Sequence, residues 1–190
     1  MQDLESMTIL LEEFVECPDN PDINFDLALE YERFGQLSSA LTFFLRSAEY
    51  GFESAPNLAY VANLKVGLIF EQLTMRNYSA SNSYLHAISY QPNRPEGYFL
   101  LSRFYQRNSN WQESYAFALM GQQYTSYRAE PTLANIEYPG TYALIFQQAV
   151  AAWWIGRKDE AKSLFEELLG KYTMESGYVQ GCLNNLKLWQ

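Results

Sequence analysis

The sequence predicts an all-α chain arranged as a right-handed superhelical array of helical hairpins, with single helices capping its ends. Three observations carry that expectation. Small residues return at one fixed place in four successive segments, aromatics follow them at helical spacings, and turn residues divide each segment in two. Strands are not expected, because runs such as Tyr98-Phe99-Leu100-Leu101 continue in helical register instead of alternating.

Taken in order, a first helix is expected over residues 3–16, stopped by the breaking run Cys17-Pro18-Asp19-Asn20-Pro21. It reads as the second half of an incomplete hairpin. The first full hairpin, 22–34 with 37–50, carries Leu27, Ala28 and Tyr31, turns at Gly35-Gln36, and resumes with Ala40 and Phe44. The second, 56–73 with 78–90, repeats this as Val66, Gly67 and Phe70, a turn one residue longer, then Ala80, Tyr84 and Ala87. Pro92 closes that helix by disfavouring helical geometry before it, and Pro95 starts the next at a position that needs no N–H.

The third hairpin, 95–107 with 111–124, has Leu101, Ser102 and Tyr105, a turn at 108–110, then Trp111, Ser114, Ala118 and Gly121. A looser fourth, 141–155 with 158–171, has Gln148, Ala149 and Ala152, then Gly156, Ala161 and Phe165. A last helix, 175–188, sets Cys182, Leu183, Leu186 and Trp189 among polar residues, as a cap over the final apolar face requires. All of it is expected to form one domain over 1–190.

The small residues have a physical purpose. Two helices approach closely only where side chains are small, so Ala28, Gly67, Ser102 and Ala149 are expected to face Ala40, Ala80, Ser114 and Ala161. Tyr31, Phe44, Phe70, Tyr84, Tyr105 and Phe165 would fill the gaps between neighbouring helices, and Leu37, Tyr78 and Trp111 would plug the hairpin ends. The irregular stretch 126–140 is expected to cover the repeats, with Leu133 and Ile136 packing back on them and ligand contact as the second reading. Tyr138-Pro139-Gly140 reads as a turn feeding the final hairpin.

Composition narrows the function. The chain of 190 residues has 22 acids and 13 bases, a formal charge of −9, so its summed field repels nucleic acid and anionic membranes. Nothing at the start reads as a targeting segment, and no apolar run approaches a membrane span, which points to a cytoplasmic protein. Two cysteines, Cys17 and Cys182, make no disulfide framework, and Asn77-Tyr78-Ser79 reads as a chance acceptor match.

Signatures of catalysis, cofactors and metals are missing: one histidine, His86, next to Ala87 on a packed helix, and no nucleotide, redox or metal motif. Neighbouring acids such as Glu12-Glu13 and Glu166-Glu167 diverge around a helix and read as solvated faces. The expectation is no enzyme, no cofactor and no metal.

The recurring pattern resembles the tetratricopeptide repeat, which sets a small residue after a Leu, a Tyr three later, then Ala, an aromatic and a closing Pro over a period of 34 residues. Ala80 and Ser114 are 34 apart, whereas the joins from Ala40 to Ala80 and from Ser114 to Ala161 span 40 and 47 and carry insertions. The resemblance implies a tetratricopeptide-like α-solenoid that binds a protein or peptide on its inner wall, lined by the first helix of each pair. That wall would show Phe25, Leu29, Arg33, Leu64, Leu68, Gln72, Phe99, Arg103, Arg107, Phe146, Val150, Trp153 and Trp154. Of the last two, adjacent on one helix, either one enters the core and the other stands at the wall or an interface, or both are half-buried among the repeats.

Arg103 and Arg107 share a helix face and could hold a partner carboxylate, but the excess of acids favours pairing within the chain. The Lys and Asn pattern that clamps a peptide's C-terminal carboxylate is lacking, which argues against a receptor for chaperone tails. YPGTYALIFQQAVAAWWIG and the closing LNNL are similar to repeat regions that accompany glycosyltransferases in microbial and viral proteins, which implies an accessory role in sugar transfer. A sugar or metabolite receptor and a self-assembling homo-oligomer are the remaining alternatives.

Overall fold

The computed structural model describes residues 2–73, 76–127 and 131–189. They form ten α-helices: α1 (Gln2–Glu16), α2 (Pro21–Arg33), α3 (Leu37–Tyr50), α4 (Pro56–Gln72), α5 (Asn77–Tyr90), α6 (Pro95–Arg107), α7 (Trp111–Gln122), α8 (Thr141–Trp154), α9 (Lys158–Lys171) and α10 (Ser176–Leu186), followed by a 3₁₀ turn at Lys187–Trp189. No strand occurs among the described residues. No described helix is long and apolar enough to cross a membrane.

Local chemistry sets the helix ends. Proline opens α2, α4 and α6, where its missing N–H costs nothing. The Asn20 side chain also accepts from the N–H groups of Asp22 and Ile23 at 2.9 and 3.1 Å. Three hairpins reverse through a residue in the left-handed region, Gly35 and Gly156 at no steric cost and Ser109 at some.

Contacts gather into two compact units. The first holds α1–α5 with residues 131–136, the second α6–α10 with residues 137–140.

In the first unit α2 packs on α3, α3 on α4 and α4 on α5, with α1 against α2. Ala28, Ala40 and Ala80 are fully buried in this unit, as are Phe44 and Tyr84. The closest approach is at Gly67, where an added Cβ would lie 2.3 Å from the Tyr84 ring; the phenol of that ring donates to Glu71 and cannot readily retreat. Arg46 secures the entry to α2, donating through Nε to Asn24 Oδ1 and through Nη2 to the Pro18 carbonyl, each at 2.9 Å.

The second unit pairs α6 with α7 and α8 with α9, and α8 also packs on α6 and α7. Ser102 Oγ donates to the Ser114 carbonyl at 2.8 Å, joining two fully buried small residues across the α6–α7 seam. Ala149, Ala152, Ala161, Phe165, Leu168 and Cys182 form an apolar cluster against which Trp153, Leu186 and Trp189 pack. Burial pushes the Cys182 thiol up to about 11, so it is an inert core group at neutral pH.

Three expected contacts are not made. Tyr78 is 81% exposed and plugs nothing. It stands two residues before Ala80, whereas Leu37 and Trp111 stand three before Ala40 and Ser114. At about 100° per residue, that difference turns Tyr78 away from the buried face. Leu183 and Leu133 are also exposed, so α10 caps through Cys182 and Leu186, and only Ile136 of the irregular stretch is buried among its described residues.

Candidate functional site

The thirteen wall residues fall into three groups around their helices. Those three positions before the small seam residue lie about 60° from the seam, those one after it about 100°, and those five after it about 140°. Burial follows that order. Phe25, Leu64 and Phe99 are buried and Phe146 half-buried; Leu29, Leu68, Arg103 and Val150 are half-buried; Arg33, Gln72, Arg107 and Trp154 are exposed. Trp153, four after Ala149, swings back toward the seam and meets Trp189 edge-on at 4.5 Å. Phe25, Leu64 and Phe99 are therefore core residues of their own units, and only the other two groups reach solvent.

In the first unit, α1 and α2 line an open hollow of about 530 Å³ through Ser6, Ile9, Leu10, Glu13, Asp26, Leu29 and Glu30. Burial, then the charges of Asp22, Glu13 and Glu30, raises the Asp26 carboxyl above its ordinary value. Arg33 donates to Glu30 at 2.6 Å and lies over the Phe34 ring. A second open hollow of about 550 Å³ is lined by Leu45, Ala48, Glu49, Phe52, Asn63, His86 and Tyr90. His86 is thus an exposed groove residue, and no group of three His, Cys, Asp or Glu among the described residues is placed to hold a metal ion.

In the second unit, the α6 face is shaped by Phe99, Arg103 and Gln106, which share one side of the helix through spacings of four and three. The Arg103 side chain is only 13% exposed; its Nη1 donates to Glu137 Oε2 at 3.0 Å and its guanidinium sits 5.4 Å from the Phe99 ring centre. The Tyr138 ring packs on Phe99 as well, at 5.4 Å. Burial, and then the charge of Glu96, drives the Tyr138 phenol far above its ordinary value, so it stays a neutral hydroxyl. Three buried polar atoms here, Arg103 Nε, Gln106 Oε1 and Gln147 Oε1 on α8, find no hydrogen-bond partner among the described residues.

At the other end of α8, Trp154 is 60% exposed and stacks on Trp111 at 5.0 Å with planes 13° apart. Phe146 meets Phe165 and Tyr178 edge-on at 5.9 and 5.2 Å, giving the α8 face an aromatic floor. Sequence reasoning did not single out Glu137, and it read Tyr138 only as part of a turn. Their contacts join an irregular segment to a helix far earlier in the chain, Glu137 to Arg103 and Tyr138 to Phe99, and such a contact leaves no periodic trace.

No protein-family model matches the chain, and no curated protein does. Solved structures do. The chain superposes on MamA with a TM-score of 0.67 at 15% identity, over 86% of this chain and 84% of that one. It superposes on BtubC from P. vanneervenii with a TM-score of 0.68 at 13% identity, over 92% and 77%. For TTC0263, a thermophilic TPR protein of Thermus thermophilus, the score is 0.59 at 13% identity, over 95% and 89%. These likenesses show that the chain has the all-helical tetratricopeptide fold.

Proposed function

We propose that the chain is a non-catalytic scaffold that holds segments of partner proteins on the half-buried and exposed margins of its first-in-pair helices. The observation that carries this reading is the α6 face: Arg103 lies against the Phe99 ring with Nε unanswered, and Gln106, three residues on along the same helix, keeps an unanswered oxygen. Buried polar atoms without partners cost stability, and a donor and an acceptor left so on one helix face are groups that a bound segment could satisfy. The hollow of about 530 Å³ beside α2 is an open groove, which suits a chain segment better than an enclosed small molecule.

The test is affinity capture with mass spectrometry, comparing the wild-type chain with a variant carrying Arg107→Glu and Trp154→Ser, both exposed positions. A partner retained by the wild type and lost by the folded variant is expected. Equal retention of every captured protein would overturn the assignment of these margins. Light scattering over a concentration series separates a monomeric adaptor from a self-assembling one.

A further inference from the structure

We infer that the hollow between α1 and α2 seats a helix donated by a partner protein, and that this helix carries an apolar stripe edged with lysine or arginine. This rests on the scaffold reading above and names the partner class at one groove. Helices within each unit gather in triads: α2, α3 and α4 all touch one another, as do α6, α7 and α8, and again α8, α9 and α10. The middle helix of a triad is gripped from two sides and buries a stripe, as α3 does with Ala40, Phe44 and Ala48 and α9 with Ala161, Phe165 and Leu168. By the same order α1 and α2 stand as the middle and last members of a triad. Yet none of residues 6–16 is buried, although α1 packs on α2 and its Phe14 ring meets Phe43 of α3 edge-on at 5.4 Å.

The first member of a triad touches both others, and the α1–α2 hollow is the place that does so here. Ile9, Leu10 and Glu13 line it from α1, and Asp26, Leu29 and Glu30 from α2. Spacings of three and four set each trio on one helix face, and two such faces make a groove for a third helix. Its floor is apolar, with Ile9 52% exposed, and its charged lining residues are acids. Glu30 already takes Arg33 at 2.6 Å, whereas burial and then the charges of Asp22, Glu13 and Glu30 hold the Asp26 carboxyl above its ordinary value. A cation brought beside Glu13 and Asp26 relieves that repulsion, and an acidic helix adds to it. The same charges disfavour a second copy, because the chain carries 22 acids against 13 bases.

The experiment uses the full chain and two fluorescently labelled synthetic helical peptides, each with leucines along one face; lysines flank the leucines in one peptide and glutamates in the other. Fluorescence anisotropy is expected to show the wild type binding the lysine peptide about tenfold or more tighter than the glutamate peptide. Glu13→Lys with Asp26→Lys is expected to remove or reverse that preference. Glu53→Lys with Glu166→Lys, the same change of charge at exposed positions outside the groove, is expected to keep it. Ile9→Ser is expected to weaken the lysine peptide about threefold or more by removing part of the apolar floor.

Equal losses in the two charge-reversed pairs would show attraction to the overall charge and overturn the seat, as would an Ile9→Ser chain that binds like the wild type. Absence of binding to the wild type would overturn the ligand class, and the capture experiment then decides the scaffold reading separately. Where circular dichroism shows the groove pair unfolded, Glu13→Gln with Asp26→Asn carries the test, with a smaller preference expected and an unchanged one overturning the proposal. A wild-type dimer that the lysine peptide dissociates would assign the groove to a second copy and overturn its assignment to another protein.

Discussion

Two sides of α6 treat polar atoms in different ways. At the α6–α7 seam, Ser102 and Ser114 are fully buried, and their hydroxyls lie 3.2 Å apart while Ser102 also reaches the Ser114 carbonyl. One residue on, at the margin of the face shared with α8, Arg103 keeps a buried Nε with no partner. The α4–α5 seam reaches the same closure by removing atoms altogether, with Gly67 flat against Tyr84. On the α2 face of the first unit, burial and then the charges of Asp22, Glu13 and Glu30 hold the Asp26 carboxyl above its ordinary value. The contrast holds for α6 and not for every seam, since Ser47 Oγ, seven residues after Ala40 on α3, is also buried without a hydrogen-bond partner among the described residues.

The largest effect expected from breaking this contrast is at Gly67. Gly67→Ala forces a methyl group to 2.3 Å from a ring tethered through Glu71, and overpacking there should cost about 3 kcal/mol or more. Thermal melting should fall by about 6 °C or more for a chain of this size. A wild-type melt would place the α4–α5 seam elsewhere.

A smaller effect belongs to Ser102→Ala, which loses one satisfied buried hydrogen bond and should cost about 1 kcal/mol. Combined with Ser114→Ala, the losses should fall short of their sum, because the two hydroxyls share a contact. Denaturant unfolding of the four chains measures that coupling, and strict additivity would show that the seam hydroxyls act independently.

Smallest is Asp26→Asn. The folded state raises the Asp26 pKa above the unfolded value, so ionisation weakens the fold, and the penalty grows as pH rises through the raised pKa. Removing the charge should therefore raise the melting temperature slightly at neutral pH. The gain should shrink as pH falls through the carboxylate range and vanish below the ordinary value of 3.8. A gain that persists in acid would point to packing instead of charge.

Most of the fold was legible because prolines and small residues punctuate it. Pro21, Pro56 and Pro95 open helices at or within one residue of the expected starts, and the buried Ala, Gly and Ser positions recur at one place per hairpin. The expected end of α7 at 124 overshoots Gln122, because Gln123, Tyr124 and Thr125 donate three residues back and tighten into turns. Tyr78 misleads through a spacing of two where three is needed.

The candidate site was less legible. Helical periodicity placed the residues of the expected wall on α2, α4, α6 and α8, and pairing of the arginines with the chain's own acids was foreseen for Arg103. Periodicity alone did not separate buried Phe25, Leu64 and Phe99 from the accessible margin. An aromatic or leucine about 60° from a seam is drawn in by the neighbouring helix, and only the packing of that neighbour decides how far. Nor does any local signal join Glu137 to Arg103.

The most direct measurement is the urea midpoint of Arg103→Met. If the face serves a partner, replacing this buried, half-answered guanidinium with an apolar chain of similar length should leave unfolding free energy within about 1 kcal/mol of wild type or raise it. Its Gly67→Ala counterpart should fall well below. A loss at Arg103 as large as at Gly67 would contradict the account and make the arginine a strut of the fold.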